Sequence, residues 1–219
     1  MARILVTGTG RAGTQYTARL LSHVGFNATH EKIYRHDFTP SSDWGNVRAE
    51  SSWLAGAFLP FLPSDVIVWH QLRDPLKVVR CWAEHRLLTD GEHHQPPTPV
   101  PAFIHRHLPE TSQGNDLERA VAYVSGWNKK IEAWGEANRG RFMRYRVEDL
   151  DSNRFWSILF MSGVKVSGDV CDDALASVPK GLGGCRHDPA TDLRWKSVRA
   201  VYGGESLAEQ AERWGYAVN

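Results

Sequence analysis

The chain has 219 residues, of which 42% are hydrophobic and 23% are charged, and its formal net charge is +1. The length suits one α/β domain over residues 1–219 and is too short for two comfortable ones. The composition is typical of a globular protein, and the net charge lacks the strong positive value that draws a protein to nucleic acid. No apolar run approaches the roughly 20 residues of a membrane span, and no signal-peptide pattern precedes the first predicted strand. We therefore expect a cytoplasmic protein with no nucleic-acid partner and no membrane span.

The first predicted element is a strand that runs directly into a glycine-rich turn. The apolar run Ile4-Leu5-Val6 is followed by Gly8, Gly10 and Gly13, and then by a helical pattern over residues 16–24. Glycines let a backbone turn sharply and approach an anion closely, while the free N–H groups and the dipole of a helix start point at that anion. The order strand, loop and helix therefore predicts a phosphate-binding site.

Three classes of phosphate site share this outline. A nucleoside-triphosphate loop needs Lys and then Ser or Thr after its last glycine, but Thr14 and Gln15 stand there, which argues against an ATPase, GTPase or kinase. The dinucleotide pattern G-x-G-x-x-G is present, and Glu31 lies near the distance expected for a ribose-binding acid. The third class is a loop with Arg11 inside the turn, for a donor with one 5′-phosphate and no metal.

A second predicted strand ends at His30-Glu31. Ligands of open parallel sheets bind at the carboxyl ends of the strands, so we expect both side chains near the phosphate loop. A neutral His or an ionised Glu at that place can take a proton from an attacking hydroxyl. The alternative is structural: Glu31 pairs with a basic side chain, and His30 is a polar strand end.

The middle of the chain is predicted as a surface loop over residues 35–46, a helix over 47–61 and a strand over 66–72. The strand stops at Arg73-Asp74-Pro75, where Pro75 is suited to the first position of a new helix. An Arg at the carboxyl end of a strand is well placed to bind phosphate through its planar guanidinium.

The second half of the chain has a proline- and histidine-rich segment, residues 88–115, which we predict to be a lid or a wall of the substrate site. Its histidines do not lead us to predict a metal. Amphipathic periodicity predicts a helix over 116–136, and a strand is predicted over 141–147. A basic, glycine-bearing loop follows near residues 180–187, before a final helix. The three scattered cysteines are expected to be reduced thiols.

Two motifs resemble those of the P-loop sulfotransferase superfamily. The run from Gly10 to Tyr16 resembles its 5′-phosphosulfate loop, usually [KR]-S-G-T-[ST]-x, with Ala12 in place of the common Ser. The run from Arg73 to Cys81 resembles its 3′-phosphate motif, R-[ND]-P-x-x-x-x-x-S, with Cys81 in place of the last Ser. A segment similar to Y-E-D-L follows at residues 145–150, and all of these occur in the family's order.

The resemblance implies a three-layer P-loop-type fold, in which helices flank a central, mostly parallel sheet. It implies transfer of a sulfuryl group from 3′-phosphoadenosine 5′-phosphosulfate (PAPS) to a hydroxyl or amine of a small-molecule or carbohydrate acceptor, with release of PAP. Glu31 would be the base, with His30 as the alternative. Arg11 and the backbone of the loop would bind the 5′-phosphate and stabilise the leaving group. The implied ligand-binding residues are Gly10, Arg11, Ala12, Gly13, Thr14, Gln15, Arg73, Cys81, Lys180 and Arg186.

Two other functions stay open at this point. One is an NAD(P)-dependent Rossmann oxidoreductase or epimerase, although Tyr123 is followed four residues later by Trp127 rather than by the Lys of a Tyr-x-x-x-Lys pair. That function would also leave Arg73 unexplained. The other is a non-catalytic nucleotide-binding module, because Ala12 and Cys81 depart from the family's motifs.

Overall fold

The structure is a computed structural model, and it describes residues 3–35, 37–41, 43–89, 99–180 and 193–219. Four of the five strands of the described residues lie in the first half of the chain, and helices predominate in the second. In chain order they are β1 (Arg3–Thr7), α1 (Thr14–His23), β2 (Ala28–His30), β3 (Ala49–Ser51), β4 (Val66–Leu72), α2 (Pro75–Glu84), α3 (Val100–His107), α4 (Asp116–Ala137), β5 (Phe142–Arg146), α5 (Ser152–Met161), α6 (Gly168–Ser177), α7 (Trp195–Arg199) and α8 (Gly204–Arg213).

The chain divides into two compact units. The first comprises Met1–Leu72 and Ile131–Gly184, and the second comprises Arg73–Lys130 and Cys185–Asn219. All five strands named above belong to the first unit, together with α1, α5 and α6. The second unit contains α2, α3, α7, α8 and most of α4. The single-domain organisation stays a prediction.

The sheet of the first unit is entirely parallel, with the strand order β2-β3-β1-β4-β5. β1 lies at its centre, and Ile4, Leu5 and Val6 are fully buried. A parallel strand covered on both faces reads as a continuous apolar run, which is why this strand could be predicted from sequence. The predicted α/β fold with a parallel sheet flanked by helices is therefore confirmed.

The core of the first unit forms where α1 and α5 pack on the sheet. Tyr16 and Leu20 of α1 belong to one buried cluster with Trp69 of β4 and Phe155 of α5. The cluster contains side chains of the two strands that flank β1 in the sheet, and its burial fixes α1 against the sheet. The start of α1 is thereby held at the carboxyl end of β1.

Helix starts follow their sequence signals. Pro75 occupies the first turn of α2, and the Asp74 side chain caps that helix by accepting from the N–H of Leu76 at 3.0 Å. The Asp151 side chain caps α5 by accepting from the N–H of Arg154 at 2.8 Å. Pro75 thus stands at the start of α2, as the sequence predicted.

Two predictions for the middle of the chain need correction. The predicted helix over residues 47–61 is wrong, because residues 49–51 form β3 and only Leu54–Ala57 and Leu59–Phe61 form short 3-10 turns. Pairing with β1 and β2 decides the conformation there. The segment 88–115, predicted as a loop, contains α3 and a short 3-10 turn, Pro109–Ser112. Within the described residues, every helix is too short or too polar to cross a bilayer.

Candidate active site

The predicted phosphate loop joins the end of β1 to the start of α1, and two of its glycines are sterically required. A Cβ at Gly8 would lie 2.3 Å from the backbone oxygen of Gln71 on β4. Gly13 has a φ of 96°, in the left-handed region that favours glycine. This backbone lets α1 begin at Thr14, directly after the loop. The predicted order of strand, loop and helix is confirmed.

The loop leaves a row of backbone donors at the start of α1. The N–H groups of Gly13, Thr14 and Gln15 have no acceptor in the part of the chain that the structure describes. They are the first donors of the helix, where its dipole is positive, and they suit an anion. The N–H of Ala12, which was expected to bind phosphate, instead donates to the carbonyl oxygen of Thr9 at 3.1 Å.

Two of the predicted catalytic residues have left-handed backbone. Arg11 has a φ of 72° and Glu31 a φ of 53°. This conformation costs a residue with a Cβ about 1–2 kcal/mol, and such strain is concentrated at functional sites. The Arg11 side chain is exposed. The backbone therefore holds both residues in conformations that local propensity alone would not choose.

The loop and the predicted base residues are brought together by Thr14. The Nε2 atom of His30, at the end of β2, lies 3.1 Å from Oγ1 of Thr14 and 3.7 Å from Oε1 of Glu31. The Glu31 side chain is 8% exposed and that of His30 is 28% exposed. Ser51, at the end of β3, donates its hydroxyl to the carbonyl oxygen of Thr14 at 2.7 Å. Three neighbouring strand ends thus meet at the start of α1.

A buried carboxylate that sequence reasoning missed holds the turn around Glu31. Glu50 on β3 is fully buried and accepts hydrogen bonds from the Thr29 hydroxyl and from the N–H groups of Lys32 and Ile33, the last two at 2.9 and 3.2 Å. Burial raises its pKa above the ordinary value, and these hydrogen bonds oppose the rise. The carboxylate thus holds the Thr29 side chain before His30 and the backbone after Glu31.

Comparison with solved structures identifies the fold of this chain. No family model matches the chain, and no curated protein matches its sequence. Among solved structures, the sulfotransferase domain of the olefin synthase from Synechococcus PCC 7002 superposes with a TM-score of 0.62, at 14% identity over 99% of this chain and 95% of that domain. The sulfotransferase domain of the curacin biosynthetic pathway gives 0.59, at 12% identity over 100% of this chain and 99% of that domain.

A third similar structure is mouse sulfotransferase SULT7A1 complexed with PAP, with a TM-score of 0.51 at 13% identity, over 88% of this chain and 70% of the mouse protein. The chain has a sulfotransferase-type fold. The order of its strands also bears on the dinucleotide alternative. In the dinucleotide-binding fold the second strand lies beside the first, in the order 3-2-1-4-5-6. Here β3 lies between β2 and β1, which argues against that alternative.

The remaining predicted residues of this sulfotransferase-type fold lie in or after other elements. Arg73 directly follows β4 and is partly buried, so it occupies the strand end at which it was predicted. Lys180 is exposed and follows α6, and Gly10 is buried within the loop. Arg186 lies outside the described residues.

The predicted role of Cys81 meets a chemical obstacle. Cys81 is buried in α2 and is disulfide-bonded, and its partner lies outside the described residues. A disulfide sulfur has no proton to donate, so in this state Cys81 cannot replace the hydroxyl of the sulfotransferase motif. The expectation that all cysteines are reduced is therefore wrong for Cys81, whereas Cys171 is free and buried.

Proposed function

We propose that this protein transfers a sulfuryl group from PAPS to a hydroxyl or amine of a small-molecule or carbohydrate acceptor and releases PAP. The observation that carries the proposal is the contact at Thr14, which joins an anion-binding helix start to the His30–Glu31 pair. The sulfotransferase-type fold supports it. The loop sequence also supports it, because Thr14 and Gln15 stand where a nucleoside-triphosphate site requires Lys followed by Ser or Thr.

The phosphate loop would bind the 5′-phosphosulfate end of the donor. The N–H groups of Gly13, Thr14 and Gln15 are available for its oxygens, and Arg11 would add a charged, planar donor from the exposed side of the loop. Negative charge builds up on the leaving phosphate oxygen as the sulfur–oxygen bond breaks. Donors already aimed at that oxygen lower the barrier, because they need no reorganisation during the reaction.

The His30–Glu31 pair would manage the acceptor proton. The acceptor oxygen or nitrogen attacks sulfur, the bond between sulfur and the 5′-phosphate oxygen breaks, and that oxygen leaves as part of PAP. The acceptor proton passes to Glu31, or in the alternative to His30. Because the two side chains lie 3.7 Å apart, a change to either one affects the surroundings of the other.

The 3′-phosphate would distinguish PAPS from simpler adenylates. Arg73 is our candidate for this contact, because its guanidinium can make paired hydrogen bonds to phosphate from a strand end. Lys180 and Arg186 are the further candidates. Cys81 has no place in this contact while it is disulfide-bonded.

A thermal-shift comparison of PAP, NAD, NADP and ATP tests the proposal. A ligand present at 100 times its dissociation constant stabilises the folded state by about 2.7 kcal/mol, which for a chain of this size raises Tm by roughly 5–10 °C. We expect PAP to give the largest shift. A larger shift with NAD or NADP would favour an oxidoreductase, and a larger shift with ATP would favour nucleoside-triphosphate chemistry. No shift with PAP would refute the proposal.

A further inference from the structure

A fully buried glutamine lies beneath the phosphate loop. Gln71 on β4 donates from Nε2 to the carbonyl oxygen of Ala12 at 2.6 Å. Its Oε1 accepts from the hydroxyl of Thr17 at 2.6 Å and from the hydroxyl of Tyr145 at 2.7 Å. Thr17 belongs to α1 and Tyr145 to β5, so one amide joins the loop, its helix and two strands. Both ends of this buried amide are therefore satisfied.

The chemistry of its neighbours fixes the orientation of the amide. The Ala12 carbonyl oxygen can only accept a hydrogen bond, so the amide must present its NH₂ group there. The two hydroxyls on the other side can donate, and they also lie 3.1 Å from each other. A flipped amide would place two acceptors against each other at 2.6 Å, which no hydroxyl rotation could relieve. Gln71 thus has one stable orientation.

The bond to Ala12 determines where the next N–H points. A trans peptide is planar, and its C=O and N–H point in opposite directions. Because Gln71 holds the Ala12 carbonyl toward the protein interior, the N–H of Gly13 points away from the interior. The N–H of Ala12 itself is turned to Thr9. Of the N–H groups of Ala12 and Gly13, the one directed away from the interior is therefore that of Gly13.

The fit around Gln71 leaves the loop little freedom. A Cβ at Gly13 would lie 3.1 Å from Nε2 of Gln71, and a Cβ at Gly8 would collide with the backbone oxygen of the same residue. Gln71 thus contacts the loop at Gly8, Ala12 and Gly13. A side chain without an amide could fill the same space, but it would not select the direction of the Ala12–Gly13 peptide.

We propose that Gln71 is a positioning residue for the donor site: its Nε2 fixes the Ala12–Gly13 peptide so that the Gly13 N–H faces the 5′-phosphate. This rests on the proposed function, because the anion is taken to be the 5′-phosphate of PAPS or PAP. Gln71 acts through the backbone and does not touch the ligand. Its role predicts a loss that depends on the 5′-phosphate and not on the 3′-phosphate.

The test uses two changes at Gln71 and two controls at the other end of the amide. Gln71→Met keeps the length but removes the donor without adding charge, and Gln71→Glu keeps an acceptor for the two hydroxyls while replacing the donor. The controls Tyr145→Phe and Thr17→Val each remove one donor to Oε1 and leave the bond to Ala12. Calorimetry measures the dissociation constants of PAP, adenosine 5′-phosphate, adenosine 3′-phosphate and inorganic phosphate, and thermal melting reports whether each variant is folded.

We expect at least tenfold weaker binding of PAP and adenosine 5′-phosphate in both Gln71 variants, with adenosine 3′-phosphate changed less than twofold. The control variants should bind PAP and adenosine 5′-phosphate as tightly as the wild-type protein does. Equal losses of affinity for all the ligands would overturn the inference. So would affinity losses that also occur in the controls and that parallel the fall in Tm. If the wild-type protein binds inorganic phosphate but not PAP, the proposed function fails, and the inorganic-phosphate affinities of the same variants decide the role of Gln71. Wild-type protein that binds no phosphate ligand would refute both.

Discussion

Replacing Glu50 tests whether a buried carboxylate holds the turn that carries His30 and Glu31. Glu50 accepts three hydrogen bonds, from the Thr29 hydroxyl and from two backbone N–H groups. Glu50→Ala leaves these donors without their acceptor. At about 1 kcal/mol for each lost partner, the free energy of unfolding should fall by roughly 3 kcal/mol. Glu50→Gln keeps an oxygen for the backbone donors and should change it by no more than about 1 kcal/mol at acidic pH.

Wild type and Glu50→Gln should also differ in their response to pH. Burial raises the pKa of Glu50 above its ordinary value of 4.5, so the folded state binds this proton more tightly than the unfolded state. The stability that Glu50 contributes is therefore fully present below the ordinary pKa and is lost as pH rises through the raised pKa. Glu50→Gln lacks this loss, so its stability relative to wild type should improve as pH rises.

Urea unfolding followed by tryptophan fluorescence measures both effects, in steps from about pH 4 to pH 8, where the unfolding midpoint reports stability if the slope is unchanged. A difference between wild type and Glu50→Gln that stays constant with pH would refute the reasoning about burial. An Ala variant that unfolds at the wild-type urea concentration would show that the three hydrogen bonds do not hold the turn.

Two further predictions concern transfer, measured as release of PAP from PAPS with a panel of hydroxyl acceptors. Arg11→Ala should remove about 2–4 kcal/mol of transition-state stabilisation, which is roughly a 30- to 900-fold loss of rate, whereas Arg19→Ala on the exposed side of α1 should have little effect. Unchanged turnover in Arg11→Ala would exclude this role. Glu31→Gln should leave PAP binding intact and abolish transfer, and a larger loss in His30→Ala would instead make His30 the base.

Some of this site could be predicted because its signals are local. The apolar strand, the glycines and the helical pattern around Gly8 and Gly13 lie within about 20 consecutive residues, and each constrains the backbone directly. Pro75 likewise marks the start of α2 through its own ring. The strand ends at His30 and Arg73 followed from the same logic, because a parallel sheet places its carboxyl ends at one edge.

The parts that were missed depend on distant partners. β3 was predicted as helix because the apolar residues of 47–61 fit a helical period, whereas pairing with β1 and β2 makes residues 49–51 a strand. The helical pattern placed Trp53, Leu54 and Ala57 on its apolar side and gave no reason to expect Glu50 to be buried. Its position in a small-residue run before Ser51-Ser52 was the available signal.

The loop itself shows the same limit at atomic scale. The resemblance to sulfotransferases implied that Ala12 binds the ligand, but the sequence could not show that the Ala12 N–H donates to Thr9. Nor could it show that Gln71, 59 residues away, holds the Ala12 carbonyl. The disulfide state of Cys81 likewise depends on another part of the chain and not on its local motif.

The most direct test of the central claim is a crystal structure of the protein with PAP. The proposal predicts the 5′-phosphate oxygens at hydrogen-bond distance, roughly 2.7–3.2 Å, from the backbone nitrogens of Gly13, Thr14 and Gln15, with the guanidinium of Arg73 on the 3′-phosphate. PAP bound away from the loop, or Arg73 directed away from the nucleotide, would contradict it.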